Sequence, residues 1–197
     1  MKPFKNYEET QSYKQRETLP TGGYVLEIKD AKIDEGKNGL SDVMVLSFDI
    51  AEGPFKDFYA RNYMNQKDED KKWKGTYRIW LPKDDGSEQD DWTKRRFKTI
   101  MENFEESNEG FSWDWDERKL KKLRIGGVFN QKEYDFNGRS GFFTQCKILV
   151  SVESIEKGTF KQPADDYLDN RSSMNAEDDD GFAELPSGFK ESDLPFA

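Results

Sequence analysis

Histidine is absent from all 197 residues, and cysteine occurs once, at Cys146. A single thiol excludes an internal disulfide and any site that needs two cysteines from one chain. The two scarcities together remove zinc sites, a histidine general base, and Ser-His or Cys-His nucleophiles. A Mg²⁺ site built from carboxylates stays open. No run of about 18 apolar residues occurs, so no segment reads as membrane-spanning. Met1 to Glu9 lacks the apolar stretch of a signal peptide. The expected compartment is the cytoplasm.

Apolar residues are also scarce, at 34% against 36% charged. A chain this polar cannot fold throughout, because polar segments bury too little apolar area to offset the entropy of ordering them. Yet 14% of the residues are aromatic, and all five tryptophans lie between Trp73 and Trp115. The aromatics therefore mark a folded body within a longer, partly unstructured chain. The net charge of −9 divides in the same way. Residues 164–197 hold ten acids against Arg171 and Lys190, which accounts for −8 and leaves the body near neutral.

Residues 1–18 read as a polar N-terminal arm, and Thr18 to Gly23 carries turn chemistry. Tyr24, Leu26 and Ile28 alternate with Val25, Glu27 and Lys29, the period of a strand with one buried face. Met44, Leu46, Phe48 and Ile50 repeat it, and Gly53-Pro54 ends that strand. Phe58 to Met64 reads as a third strand, and Gly75 to Leu81 as a further strand or rigid loop. A helix begins near Asp90, with Phe97, Ile100, Met101 and Phe104 on one apolar stripe and Lys94, Arg95 and Lys98 away from it. A strand from Val128 to Asp135 turns at Asn137-Gly138 and returns from Phe142 to Val152. On the return strand Cys146, Ile148, Val150 and Val152 are expected inward, and Phe143, Gln145 and Lys147 outward. The domain closes at Gly158 to Pro163, and a disordered acidic tail follows over 164–197. Five strands, one helix inserted after the third and a closing hairpin make a mainly β, OB-type five-stranded barrel. An open β-sandwich has similar periodicity.

The window from Lys71 to Trp80 holds four cations, Lys71, Lys72, Lys74 and Arg78, three aromatics, Trp73, Tyr77 and Trp80, and no acid. Cations that follow phosphates and rings that stack on exposed bases are what a single strand of nucleic acid requires. Tyr59, Arg61 and Tyr63 share one parity of the expected third strand, so they project to one face. At the hairpin, Lys132, Tyr134 and Arg139 flank the turn, with Phe142 and Phe143 on the return strand. Cross-strand packing would explain these residues equally well. Trp113 and Trp115 stand among acids and are expected to cap the barrel. Asp68-Glu69-Asp70, Asp84-Asp85 and Asp90-Asp91 read as solvated loops rather than a nuclease metal centre. Gly22-Gly23 and Gly126-Gly127 lack phosphate-loop spacing. No catalytic residue, metal or cofactor is expected.

The chain closes on Asp193-Leu194-Pro195-Phe196-Ala197, preceded by Asp178-Asp179-Asp180. This ending resembles that of bacterial and bacteriophage single-stranded DNA-binding proteins, whose disordered acidic tails end in an Asp-aliphatic-Pro-Phe motif that replication and repair proteins bind. Ala197 places the terminal carboxylate one residue beyond Phe196, a departure from that pattern. The body is similar to OB-fold single-stranded DNA-binding proteins of phages infecting Gram-positive bacteria. The similarity rests on Pro20-x-Gly22-x-Tyr24, Glu52-Gly53, Lys132-Glu133-Tyr134 and Ile155-x-x-Gly158-x-Phe160. It implies sequence-tolerant DNA binding in replication, recombination or repair, with Asp193, Leu194, Pro195 and Phe196 recruiting partners. Homo-oligomerisation is left open. A protein-only adaptor, or an inhibitor whose acidic tail mimics DNA, is the alternative from another class.

Overall fold

The computed structural model describes residues 5–9, 17–37, 40–67, 69–136 and 138–168. Strands β1 (Gly22–Asp34), β2 (Val43–Ile50), β3 (Thr76–Trp80), β4 (Arg124–Phe136) and β5 (Arg139–Val150) form one antiparallel sheet in the order β3-β2-β1-β4-β5. The helices are α1 (Phe58–Met64), α2 (Glu88–Ser107) and α3 (Val152–Lys157), and a 3-10 turn over Glu117–Leu120 lies between α2 and β4. The alternation in β1 and β2 places Leu26, Ile28, Met44, Leu46, Phe48 and Ile50 in the core. Helix α2 lays Phe97, Ile100, Met101 and Phe104 against them, as its 3.6-residue stripe requires. Each such side chain contributes roughly 1.5–3 kcal/mol on burial. The helix starts at Glu88 rather than Asp90, because the Ser87 hydroxyl caps the Asp90 N–H at 3.2 Å.

The five strands expected of an OB-type barrel are present, and they form an open sheet. Its two edges, β3 and β5, curl towards each other but form no ladder among the described residues. They meet where the Tyr77 hydroxyl on β3 donates to the Lys147 carbonyl on β5 across 3.4 Å. Helix α2 packs over this seam, touching β3, β4 and β5.

Two expected elements are corrected. Phe58–Met64 is helical, so Thr76–Trp80 becomes the third strand. The reason is Asp49, fully buried on β2, whose carboxylate accepts the Tyr59 and Ala60 N–H groups at 2.9 Å each. These are orphan donors of a helix N-terminus, and Asp57, which precedes the helix, makes no side-chain cap.

On β5 the parity changes partway along. Val128 pairs with Ile148 but Phe129 with Cys146, so Lys147 is the extra residue of a β-bulge. Leu149, 4% exposed, therefore takes the core side in place of Ile148 and Val150, while Cys146 still packs on the core. Val152 lies outside β5, at the first position of α3.

The outer face of β1 and β4 is covered as well. Phe160 and Ile155 lie so close to Gly23 that a Cβ there would sit 2.6 Å from the Phe160 ring. A Cβ on Gly126 would meet Ile155 at 2.6 Å and the Ser151 carbonyl at 2.7 Å. These two glycines let α3 and the closing segment seal that side.

The segment does not leave the fold at residue 164. Pairing of β1 with β4 stops at Gly22 and Phe129, and residues 164–168 take over the exposed β4 edge. The Asp166 N–H donates to the Gln131 carbonyl, and the Glu133 N–H donates to the Asp166 carbonyl, each at 2.8 Å. Asn130 Nδ2 also donates to the Ala164 carbonyl at 2.7 Å. The remainder of the acidic tail, including Asp193, Leu194, Pro195 and Phe196, lies outside the described residues. Among the described residues no helix is long and apolar enough to cross a membrane.

Candidate nucleic-acid interface

The residues singled out in the sequence fall into distinct settings. Tyr59 and Tyr77, each 6% exposed, are core residues rather than stacking platforms. Tyr59 meets Phe48 and Phe58 edge-on at 5.4 and 5.1 Å, and burial pushes its phenol well above the ordinary range. Burial also raises Tyr77, whose hydroxyl accepts from Arg96 at 2.9 Å. Its hydroxyl joins the seam while its ring fills the interior.

Around α1 and the following loop, Tyr63 and the half-buried Trp73 lie 5.9 Å apart at 49°, with Lys71 Nζ 5.9 Å over the Tyr63 ring. Trp73 Nε1 donates to the carbonyls of Phe48 and Gly75, so its polar end holds the β2 edge. Arg61 is exposed on α1 and pairs with Glu17 at 3.1 Å. Lys72 and Lys74 are half-buried, and the Lys72 N–H donates to Gln66 Oε1 at 2.8 Å. Arg78 is exposed on β3, between the buried Tyr77 and Ile79.

On the hairpin, Lys132 stands opposite Phe143, so the two share a face. Tyr134 lies two residues along and meets Phe143 at 6.3 Å, while Arg139 is exposed beside the turn. Gln145 and Lys147 continue the outward side of β5 towards the seam, and both hold the Asp166 carboxylate. Lys147 Nζ lies 2.9 Å from each oxygen, and Gln145 Nε2 donates at 2.8 Å.

The feature that sequence reasoning missed is a cleft of about 360 Å³ at the seam. Helix α2 contributes Trp92, Arg95, Arg96, Thr99 and Ile100, β3 contributes Tyr77, and β5 contributes Lys147, Ile148 and Leu149. Trp92, Arg95, Arg96 and Thr99 fall at i, i+3, i+4 and i+7, a second stripe beside the apolar one. That spacing was the available signal. Arg96 lies 5.5 Å over the Trp92 ring and is anchored by Tyr77. Arg95 is exposed and makes no ion pair with any described residue. Arg95, Arg96 and Lys147 thus line the cleft with the Trp92 ring over an apolar floor, and the one acid at its margin is Asp166, on the Lys147 ammonium. Such a site attracts phosphate by charge and a flat apolar ring by contact.

Lys94 lies between Asp84 and Asp90, at 2.6 and 2.9 Å, and among the described residues no three candidate ligands converge. Cys146 is half-buried against the core, and desolvation pushes its thiol up. Trp113 caps the core as expected, edge-on to Phe97 at 5.9 Å, whereas Trp115 lies flat on Phe97 and remains 79% exposed. No family model and no curated protein matches this chain.

Proposed function

We propose that this chain is a sequence-tolerant single-stranded DNA-binding protein built on an OB-type barrel and acting without catalysis. The supporting topology is five strands in the order β3-β2-β1-β4-β5, with α2 between β3 and β4 and a long β4–β5 hairpin. OB barrels are five-stranded, partly open, and bind oligonucleotides with strands 2–3 and the flanking loops. The observation that carries the reading is the cleft at the seam, which Arg95, Arg96 and Lys147 line together with Trp92 and where the only acid in contact is Asp166, on Lys147. Arg78 on β3 and Lys132, Tyr134, Arg139 and Phe143 on the hairpin extend the same chemistry. A duplex would need the cations alone, because its bases are already stacked. The rings favour a single strand. In this reading the protein coats DNA during replication, recombination or repair in the cytoplasm, a host's if it is phage-encoded. Asp193 to Phe196 recruit partner proteins.

The test is fluorescence anisotropy with labelled oligo-dT and a duplex of equal length, each at several salt concentrations. Oligo-dT is expected to bind far more tightly than duplex. Arg95→Gln and Arg78→Gln should each flatten the log–log salt slope by about 0.7 per lost phosphate contact. Equal affinity for duplex, or variants indistinguishable from the parent in slope and affinity, would overturn the assignment.

A further inference from the structure

We propose that the seam cleft is a slot for one unstacked nucleobase, so that each bound protein withdraws a single base from the strand into its α2 side. This inference rests on the single-strand reading and specifies what its central site holds. The volume, about 360 Å³, lies at the lower end of the roughly 300–1,000 Å³ typical of small-molecule sites. It suits one nucleoside. The walls are of two kinds. Trp92, Ile100, Ile148 and Leu149 supply apolar surface, which offers a phosphate nothing but lost hydration yet suits the faces of a base.

The cations stand with them in a useful pattern. Arg96 is held between the Trp92 ring and the Tyr77 hydroxyl, so its flat guanidinium is oriented before any ligand arrives. Arg95 is exposed on the same helix stripe, and Lys147 already grips a carboxylate, that of Asp166, at 2.9 Å from both oxygens. A carboxylate and a phosphodiester present the same charge-assisted acceptors to an ammonium. The Asp166 contact therefore marks where a backbone phosphate sits when the neighbouring base enters the slot. Thr99, the Tyr77 hydroxyl, already engaged with Arg96 and the Lys147 carbonyl, and the Arg95 and Arg96 guanidinium groups are the donors within reach of a base in the slot.

The experiment uses the full chain and an oligo-dT carrying 5-iodo-deoxyuridine, irradiated in the complex and mapped by peptide mass spectrometry, alongside anisotropy titrations. Two variants accompany it, Trp92→Leu and Thr99→Trp. The second adds a large ring from an exposed helical position and fills the slot while keeping every other lining residue. Crosslinks at Trp92, with affinity reduced about tenfold in both variants, are the expected result. If oligo-dT binds normally, crosslinks fall only on other residues and both variants match the parent, the slot is refuted while single-strand binding stands. If the parent chain does not bind oligo-dT at all, the functional reading fails and the slot with it.

Discussion

Asp90 lies almost fully buried at the first turn of α2, where one oxygen accepts the N–H groups of Lys83 and Asp84 at 2.8 and 3.1 Å. The other oxygen meets Lys94 Nζ at 2.9 Å. The Lys94 ammonium, more than the backbone donors, holds this carboxyl below the usual aspartate range. The unfolded chain therefore binds the proton first as pH falls, and stability rises with pH across the acid limb. Asp90's contribution is complete above about pH 4, the ordinary aspartate value, and is lost as pH drops through the lowered folded value. Asp90→Asn should destabilise the protein at pH 7, and the gap between variant and parent should shrink from pH 6 to pH 2. Urea midpoints measured across that range give the comparison, and a gap that widens in acid would contradict it. In the sequence, Asp90 belonged to an ordinary acidic pair. Its burial depends on the Pro82–Ser87 loop folding back over it, which neighbouring residue types do not announce.

Helix α1 shows the same dependence at the level of an element. Its seven residues are too few for a 3.6-residue period to be distinguished from alternation, and Phe58 and Tyr59 are buried side by side. Its N-terminal acceptor comes from Asp49, ten and eleven positions earlier in the chain. Asp49→Ala would leave the Tyr59 and Ala60 N–H groups without that partner, at a cost of about 3 kcal/mol. Asp49→Asn retains an acceptor oxygen and should lose about 1 kcal/mol. Hydrogen exchange should localise the damage to the Tyr59 and Ala60 amides, while α2 keeps its protection. Uniform acceleration across the fold, or none, would show that the helix does not rely on Asp49. By contrast α2 was legible in advance, because Phe97, Ile100, Met101 and Phe104 span more than two turns and all reach the core. The inner side of β5 was legible only as far as the bulge at Lys147, beyond which the pattern needs the β4 register.

For the molecule as a whole, the acidic tail and the folded body meet at residues 164–168, and two truncations separate their contributions. Deleting residues 169–197 removes a net charge of −6, eight acids against Arg171 and Lys190, and leaves the segment on β4 intact. Deleting 164–197 also removes Asp166 from Lys147 and uncovers the β4 edge at Gln131 and Glu133. Oligo-dT affinity at low salt should rise from the full chain to the first truncation and again to the second. The differences should fade as the screening length falls below about 10 Å above 0.1 M salt. Thermal stability should be unchanged in the first truncation and lower in the second. A full-length chain that binds more tightly than either truncation would rule out competition between tail and DNA.

What the sequence determined by itself follows from local regularities. Period-2 alternation in β1 and β2, the long stripe of α2, the Asn137-Gly138 turn signal and the concentration of acids after residue 164 each need only near neighbours in the chain. Those regularities also placed cations and aromatics on the hairpin and in the window around Trp73. Tertiary structure alone decided which aromatics are buried, since Tyr59 and Tyr77 differ from Tyr63 and Tyr134 only in what packs against them. It also decided the cleft, because Trp92, Arg96, Tyr77 and Lys147 come from three elements brought together when the sheet curls. The docking of Asp166 on Lys147 has the same origin: β1 ends opposite Phe129 and leaves a backbone edge that residues 164–168 satisfy. Burial and convergence of this kind arise from long-range packing, and no run of residues encodes them locally.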